Sequence, residues 1–266
     1  MKRFILKCLL ISTMMGLIGC GKEVKEETNQ DVVSQDGTVT AESEHSIVAT
    51  ESEHRGIYDQ LLIIAENKNM WVMEEDYLYG VYQYAVTDLD HNGRYEVIVS
   101  NMGGSGMYTY SSFFEVSENY DALVECTTDF TEFDSQPDIM SGKLETYIDD
   151  RGEFHYVGYD LLKNGAAEYY ENICELVLRD GKLNVNYLAY KSTIYAGETP
   201  TITCTDADGN EITEEAYANT AGDYFAGFQK TTTSLGWQEV SALKGDTAEI
   251  AAQLDMSLNI FLYGEQ

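Results

Sequence analysis

The sequence predicts an α+β fold: a twisted antiparallel β-meander with an N-terminal helix and two C-terminal helices packed on one face. Segments rich in β-branched and aromatic residues dominate the middle of the chain, and these are typical of strands. Turn dipeptides separate them at hairpin-like intervals: Asn92-Gly93, Arg151-Gly152, Asn164-Gly165, Asp180-Gly181 and Asp208-Gly209. This spacing indicates an antiparallel meander and not alternating strand–helix units.

The N-terminus carries a secretory signal. Lys2, Arg3 and Lys7 precede an apolar run from Cys8 to Ile18. A run of about eleven residues is too short to span a bilayer but has the length of a signal-peptide core. The sequence therefore predicts export from the cytoplasm.

Leu17-Ile-Gly-Cys20 follows that run and resembles the lipobox of bacterial lipoproteins. The resemblance implies that residues 1–19 are removed and that Cys20 becomes the new N-terminus with a diacylglyceryl thioether. Further acyl chains such as palmitate would make the attachment stable. The expected location is the extracytoplasmic face of the cell membrane. The alternative is ordinary signal cleavage, with no special role for Cys20.

Residues 20–54 are expected to be a lipidated, disordered tether. They are charged, rich in Ser and Thr and poor in aromatic residues, so they cannot bury a core. Glu42-Ser-Glu-His45 recurs as Glu51-Ser-Glu-His54. A metal-binding pair of histidines is one interpretation, and low-complexity drift in a linker is the favoured one.

The charge of the processed chain excludes some partners. Removing Lys2, Arg3 and Lys7 with the signal leaves 13 Lys and Arg against 46 Asp and Glu, so the formal charge becomes −33. Such a balance argues against nucleic acid and against direct contact with an anionic membrane surface. The membrane is expected to be a partner only through the lipid on Cys20.

Residues 55–266 form the predicted extracytoplasmic domain, and its helices lie near its two ends. Residues 57–66 are expected to form a helix, in which Ile57, Leu61 and Ile64 make an apolar stripe of helical period. Thr213 begins a second helix, for which Tyr217, Ala221, Tyr224 and Phe228 are the expected apolar face. Asp246 and Glu249 resemble a capping box, and the helix they begin has the stripe Ile250, Leu254 and Leu258.

Between strand-like residues 82–87 and 95–100 lies the one motif that points to specific chemistry. Oxygen-bearing groups recur at alternate positions around Gly93, whose missing Cβ permits a sharp bend. This is the pattern of a calcium loop, because Ca²⁺ prefers six to eight hard oxygen ligands. The expected ligands are the side chains of Asp88, Asp90, Asn92 and Glu96 and the main-chain carbonyl of Arg94.

The motif departs from an EF-hand, because Val99 stands where the twelfth-position Glu belongs and the flanks are strand-like. It resembles the strand–loop–strand calcium loops of FG-GAP repeats, and that resemblance implies the ligand set above. The ninth position is Asp in that family, so direct contact by the longer Glu96 is left open. The loop occurs once, so no propeller of repeats follows.

The alternative is a metal-free β-hairpin with Asn92-Gly93 at its tip. Crowded carboxylates repel each other unless a cation lies among them, which favours the metal. Without a twelfth ligand the affinity for Ca²⁺ is expected to be weak, on the order of 10⁻⁴–10⁻³ M. A structural role is expected for the ion, in a calcium-loop hairpin covering residues 82–100.

Cysteines and histidines give no support to catalysis or zinc chemistry in the sequence. Cys126, Cys174 and Cys204 each share strand phase with apolar neighbours, so buried free thiols are expected, although one disulfide in any of three pairings stays open. His91 is expected to face water and His155 to lie on a sheet surface. Asp206-Ala-Asp-Gly-Asn210 is a hairpin tip whose glycine falls too early for a second calcium loop.

These observations favour a lipid-anchored, non-enzymatic surface module with one structural Ca²⁺. A carbohydrate or an extended peptide is the expected ligand, on a Tyr-rich face drawn from stretches such as 77–84 and 156–159. The body also resembles surface lipoproteins of Gram-positive bacteria, in Tyr84–Gly93 and Asp206–Glu215; no activity follows from that. The alternatives are a surface hydrolase with an acidic pair and a transporter-associated solute-binding lipoprotein.

Overall fold

A computed structural model describes residues 56–73, 81–103, 108–128, 141–197 and 199–264. The predicted signal peptide and tether, and Tyr77 and Tyr79, lie outside the described residues. All described residues belong to one unit of the chain. The α+β prediction is confirmed, since antiparallel sheets predominate and a few helices cover them.

The helices are α1 (Ile57–Glu66), α2 (Lys68–Trp71), α3 (Glu214–Tyr224) and α4 (Thr247–Tyr263). The strands are β1 (Val81–Thr87), β2 (Glu96–Gly103), β3 (Tyr108–Val116), β4 (Leu123–Glu125), β5 (Thr127–Thr128), β6 (Lys143–Ile148), β7 (Phe154–Asn164), β8 (Glu168–Arg179), β9 (Lys182–Ile194), β10 (Thr201–Asp206), β11 (Glu211–Ile212), β12 (Gln229–Ser234) and β13 (Gln238–Glu239).

The strands form two sheets, whereas the sequence suggested one. Sheet A has the order β13-β1-β2-β3-β4, and sheet B has the order β11-β10-β9-β8-β7-β6-β12 with β5 added in parallel to β9. Strands β1–β4 and β6–β11 pair with their neighbours in the chain, as in the predicted meander, whereas β12 and β13 add to the edges beside β6 and β1. The hairpin signals describe only neighbouring strands, so they leave open where the chain changes sheets.

Three apolar clusters hold four layers together. The first joins α1 and α4 to one face of sheet A, through residues such as Leu61, Val97 and Leu254. A second lies between the sheets, where Ile98 and Phe113 of sheet A meet Leu176 of sheet B. The third joins the outer face of sheet B to α3. The three helices therefore do not share one face: α1 and α4 cover sheet A, and α3 covers sheet B.

Local signals account well for α4 and less well for α3. In α4 the Asp246 side chain accepts from the Glu249 amide while Glu249 caps the Asp246 amide, so the predicted capping box is present. Helix α3 begins after Thr213 but ends at Tyr224. Phe228 therefore lies beyond the helix, and Phe225 takes the buried position expected for Tyr224 and Phe228. The chain turns at Gly227, whose φ of 97° suits glycine.

Candidate metal centre

The predicted calcium loop lies at the turn of the β1–β2 hairpin. The two strands pair antiparallel with Thr87 opposite Glu96, so residues 88–95 form the connection. His91 and Gly93 have positive φ angles of 55° and 81°, which turn the chain back on itself. The exposed His91 ring stacks on Phe154 of sheet B, with 3.6 Å between ring centroids.

Three of the predicted ligands converge at this turn. One carboxylate oxygen from each of Asp88, Asp90 and Glu96 lies within 4.8 Å of the other two. Asp88 and Asp90 are half-buried, whereas Glu96 is completely buried. This group of acidic residues is able to hold a metal ion.

The two oxygens of Glu96 have different surroundings. Oε2 accepts hydrogen bonds from the Leu89 amide at 2.8 Å and the Thr87 hydroxyl at 2.9 Å. Oε1 is buried and has no hydrogen-bond partner. A buried carboxylate oxygen without a partner is costly, since desolvation is not offset. The strand therefore fixes Glu96 by one oxygen and leaves the other available to a ligand.

Burial raises the pKa of all three carboxyls, because desolvation penalises the charged form. The pKa of Asp88 rises to about 6, mainly through desolvation, with the charges of Asp90 and Glu115 contributing. Desolvation is also the main cause of the higher pKa values of Asp90 and Glu96. The mutual repulsion of these carboxylates is what a bound divalent cation would relieve.

The other two predicted ligands are positioned differently. The Asn92 side chain points its amide nitrogen at Asp90 and Glu115, 2.7 Å from each, and its oxygen accepts from the Arg94 amide. The Tyr95 amide donates to Gln60 at 2.9 Å. Because a trans peptide directs its C=O opposite to its N–H, the Arg94 carbonyl points away from Gln60.

Two residues that support the loop have no signal in the local motif. Gln60 of α1 is buried and bonds the loop backbone twice, by donating to the Gly93 carbonyl and accepting from the Tyr95 amide. Glu115 of β3 is also buried, holds the Asn92 amide and forms an ion pair with Arg94 at 2.9 Å. Both contacts span large sequence separations. Only an unusual polar residue on an otherwise apolar helix face could have drawn attention to Gln60.

A cleft of about 330 Å³ opens beside the loop. Its charged and polar lining includes Asp90, Asn92, Arg94, Arg151, Glu153 and Arg179. The arginines are paired with acids of the same surface, Arg94 with Glu115 and the other two with Glu153.

Only some of the tyrosines expected on the Tyr-rich face are exposed to solvent. Tyr82, Tyr84 and Tyr156 are buried in the apolar clusters, so they cannot contact a ligand, whereas Tyr159 is exposed. Further exposed tyrosines lie on β8 and β9, at Tyr169 and Tyr190. Alternation along a strand predicts two faces but not which of them is covered.

The remaining sequence predictions concern thiols and a turn. Cys126, Cys174 and Cys204 are free and buried, as expected. Burial raises the pKa of each thiol, so none of the three is a reactive thiolate. Asp206 accepts from the Asp208 and Asn210 amides and closes the predicted β10–β11 hairpin tip.

Comparison with protein-family models, with curated proteins and with solved structures finds no match to this chain. Among the described residues, no helix is both long and apolar enough to cross a membrane.

Proposed function

We propose that the protein is a lipid-anchored extracytoplasmic module whose domain is stabilised by one Ca²⁺ at the β1–β2 turn. The side chains of Asp88, Asp90 and Glu96 and the carbonyl of Arg94 would supply oxygen ligands. Asn92 would join them after its amide rotates by a half-turn, which exchanges its nitrogen and oxygen. An all-oxygen set of this kind suits a hard cation.

The observation that carries the metal assignment is the buried, unpartnered Oε1 of Glu96 beside two further carboxylates. If the turn bound no metal, folding would bury the Glu96 carboxylate beside the charges of Asp88 and Asp90. No opposite charge would then offset the cost of its desolvation. A divalent ion removes that conflict. Calcium is preferred to a transition metal because no nitrogen or sulfur ligand belongs to the group.

A structural role for the ion is favoured over a catalytic one. Raised carboxyl pKa values also occur in hydrolase acid pairs. Glu96, however, has no exposed surface and therefore cannot contact a substrate. The ion would join the two strands and the turn, and its loss would loosen the hairpin that contacts α1 through Gln60.

Melting curves with and without millimolar calcium test the metal assignment. We expect Ca²⁺ to raise the melting temperature of the wild-type protein, and Asp88→Ala combined with Asp90→Ala to abolish the rise. Asp208→Ala combined with Glu211→Ala is a matched control, because it removes two exposed acids from the β10–β11 hairpin. A calcium-dependent rise that survives the first pair of substitutions would contradict the assignment.

Anchoring and ligand binding rest on the sequence. The lipobox-like Leu17-Ile-Gly-Cys20 supports attachment through a lipid on Cys20. The exposed rings of Tyr159, Tyr169 and Tyr190 support a carbohydrate or an extended peptide as ligand, since such rings bind flat apolar faces while their hydroxyls form hydrogen bonds. The antiparallel sheets do not favour the solute-binding alternative, which requires alternating strands and helices in two lobes.

A further inference from the structure

A second group of potential metal ligands lies on the β6–β7 hairpin of sheet B. One oxygen of Asp149, one of Glu153 and a ring nitrogen of His155 lie within 4.8 Å of one another. Asp149 and Glu153 flank the turn, and the strand alternation directs Glu153 and His155 to the same face. Unlike the β1–β2 turn, this group contains a nitrogen ligand.

His155 is buried, contrary to the sheet-surface position expected from the sequence, and only 8% of it is exposed. Its Nδ1 lies 2.6 Å from Oε1 of Glu175. Because a carboxylate only accepts hydrogen bonds, Nδ1 is the donor, which leaves Nε2 as the ring nitrogen that can bind a metal. Nε2 is buried and has no partner. A carboxylate that fixes the tautomer of a histidine is the usual support of a metal-binding imidazole.

Asp149 is oriented in a similar way. Its Oδ1 accepts from the amides of Arg151 and Glu153, at 2.9 and 2.8 Å, so the backbone of the turn holds the carboxylate in place. Its Oδ2 accepts from the Arg151 guanidinium at 2.8 Å. Glu153 is bonded to the guanidinium groups of Arg151 and Arg179. Both carboxylates are therefore paired with arginine side chains that extend into solvent.

We propose that Asp149, Glu153 and His155 form a second divalent-metal site, of the mixed nitrogen–oxygen kind that suits Zn²⁺. The ligands are Oδ2 of Asp149, a carboxylate oxygen of Glu153 and Nε2 of His155, with water completing the coordination. One histidine with two carboxylates is a set that borderline divalent ions accept. The rings of Phe225 and Phe228 lie 5.7 and 5.3 Å from the His155 ring and hold it in place by packing.

Binding would exchange two guanidinium contacts for one divalent ion, which leaves the local charge unchanged. The side chains of Arg151 and Arg179 are 72% and 56% exposed, so they can turn into solvent. Ion pairs made by exposed arginines are weakened by the surrounding water, so their release opposes metal binding only weakly. The arginines are therefore competitors for the site.

This competition separates the proposal from the alternative that the acids merely form an ion-pair network. Zn²⁺ is titrated calorimetrically into the full-length protein in detergent, with saturating Ca²⁺ present and with His45 and His54 replaced by Asn. We expect one zinc site, lost in His155→Gln and retained in His91→Asn. Arg151→Gln should bind zinc about two- to fivefold more tightly, and Glu175→Gln at least about tenfold more weakly.

His155 is buried, so His155→Gln could unfold the protein. Glu153→Gln, at the half-buried turn, is therefore measured as a second, separate variant, and each variant is checked for a cooperative melting transition. If the Glu153→Gln protein is folded and does not bind zinc, that result supports the proposed site even if His155→Gln does not fold. Zinc binding unchanged in Glu153→Gln, absent from the wild-type protein, or not tightened in Arg151→Gln would overturn the proposal. None of these results depends on whether the β1–β2 turn binds calcium.

Discussion

At position 96 a carboxylate is enclosed where β1 and β2 meet, with two donors on one oxygen and none on the other. The donors explain why the side chain stays in place without a metal. The unpartnered oxygen explains why a metal would be bound there. Stability and metal binding should therefore respond differently when this charge is removed.

Glu96→Gln is expected to keep the metal-free protein within about 1 kcal/mol of the wild type, because an amide oxygen can still accept from Leu89 and the buried charge is gone. The same substitution should abolish stabilisation by calcium. At about 5 mM Ca²⁺ and a Kd of 10⁻⁴–10⁻³ M, the wild-type protein should gain about 1–2 kcal/mol. Urea unfolding with calcium or with chelator measures both quantities.

Glu211→Gln is the matched control, since Glu211 is an exposed glutamate on β11. It should keep the calcium-dependent gain. If Glu96→Gln retained the full gain, the ninth loop position would not be a ligand.

Asp88 sets the expected pH dependence of both the metal-free stability and the calcium affinity. Its pKa is raised to about 6 in the folded protein, so metal-free stability should fall as pH rises from about 4 to 6, where the native carboxyl holds a proton that the unfolded one has lost. Calcium needs the carboxylate, so its affinity should decrease by about tenfold per pH unit below pH 6. Calorimetric titrations at pH 5 and pH 7 test this, and equal affinities would exclude Asp88 as a ligand.

At the scale of elements, the turn is supported from α1. Gln60 bonds both the Gly93 carbonyl and the Tyr95 amide, so the helix and the hairpin are joined by a buried side chain. This link makes calcium binding and the packing of α1 on sheet A mutually dependent.

Gln60→Ala should destabilise the protein by about 2–4 kcal/mol, because the buried Tyr95 amide and the half-buried Gly93 carbonyl lose their partner. It should also weaken calcium binding, since the Arg94 carbonyl shares a peptide unit with the Tyr95 amide. Asn259→Ala on the exposed side of α4 should change the unfolding free energy by less than about 0.5 kcal/mol. A Gln60→Ala protein as stable as that control would show that the loop backbone is satisfied by other means.

Much of the hairpin could be predicted from the sequence because its signals are local. The ligand spacing from Asp88 to Glu96, the glycine bend and the flanking strand patterns all lie within 82–100. Gln60, Glu115 and the burial of His155 could not be predicted, since they depend on contacts between distant elements. The same reason explains the buried Tyr84: a strand pattern does not say what covers it.

For the whole molecule, the four layers follow from sheets that are apolar on both faces. Sheet B needs sheet A on one side and α3 on the other, so its strands carry buried residues of both phases. Alternation alone could not divide the strands between two sheets. The proposed tether and lipid would hold this layered domain at the extracytoplasmic face of the cell membrane.

Cys20→Ser should move the protein from the membrane fraction to the soluble fraction of bacterial cells, because the only acceptor for the proposed lipid is lost. Cys126→Ser, at a buried thiol of the domain, serves as the control and should stay membrane-bound if folded. Fractionation followed by immunoblotting measures the distribution. Retention of Cys20→Ser in the membrane would contradict lipid anchoring.

The most direct test of calcium binding at the β1–β2 turn is an anomalous difference map from crystals grown with calcium. A cation at the β1–β2 turn should give a peak about 2.3–2.6 Å from oxygens of Asp88, Asp90 and Glu96 and from the Arg94 carbonyl. A map without a peak at this turn, with Oε1 of Glu96 hydrogen-bonded to water or to a protein donor, would contradict calcium binding there.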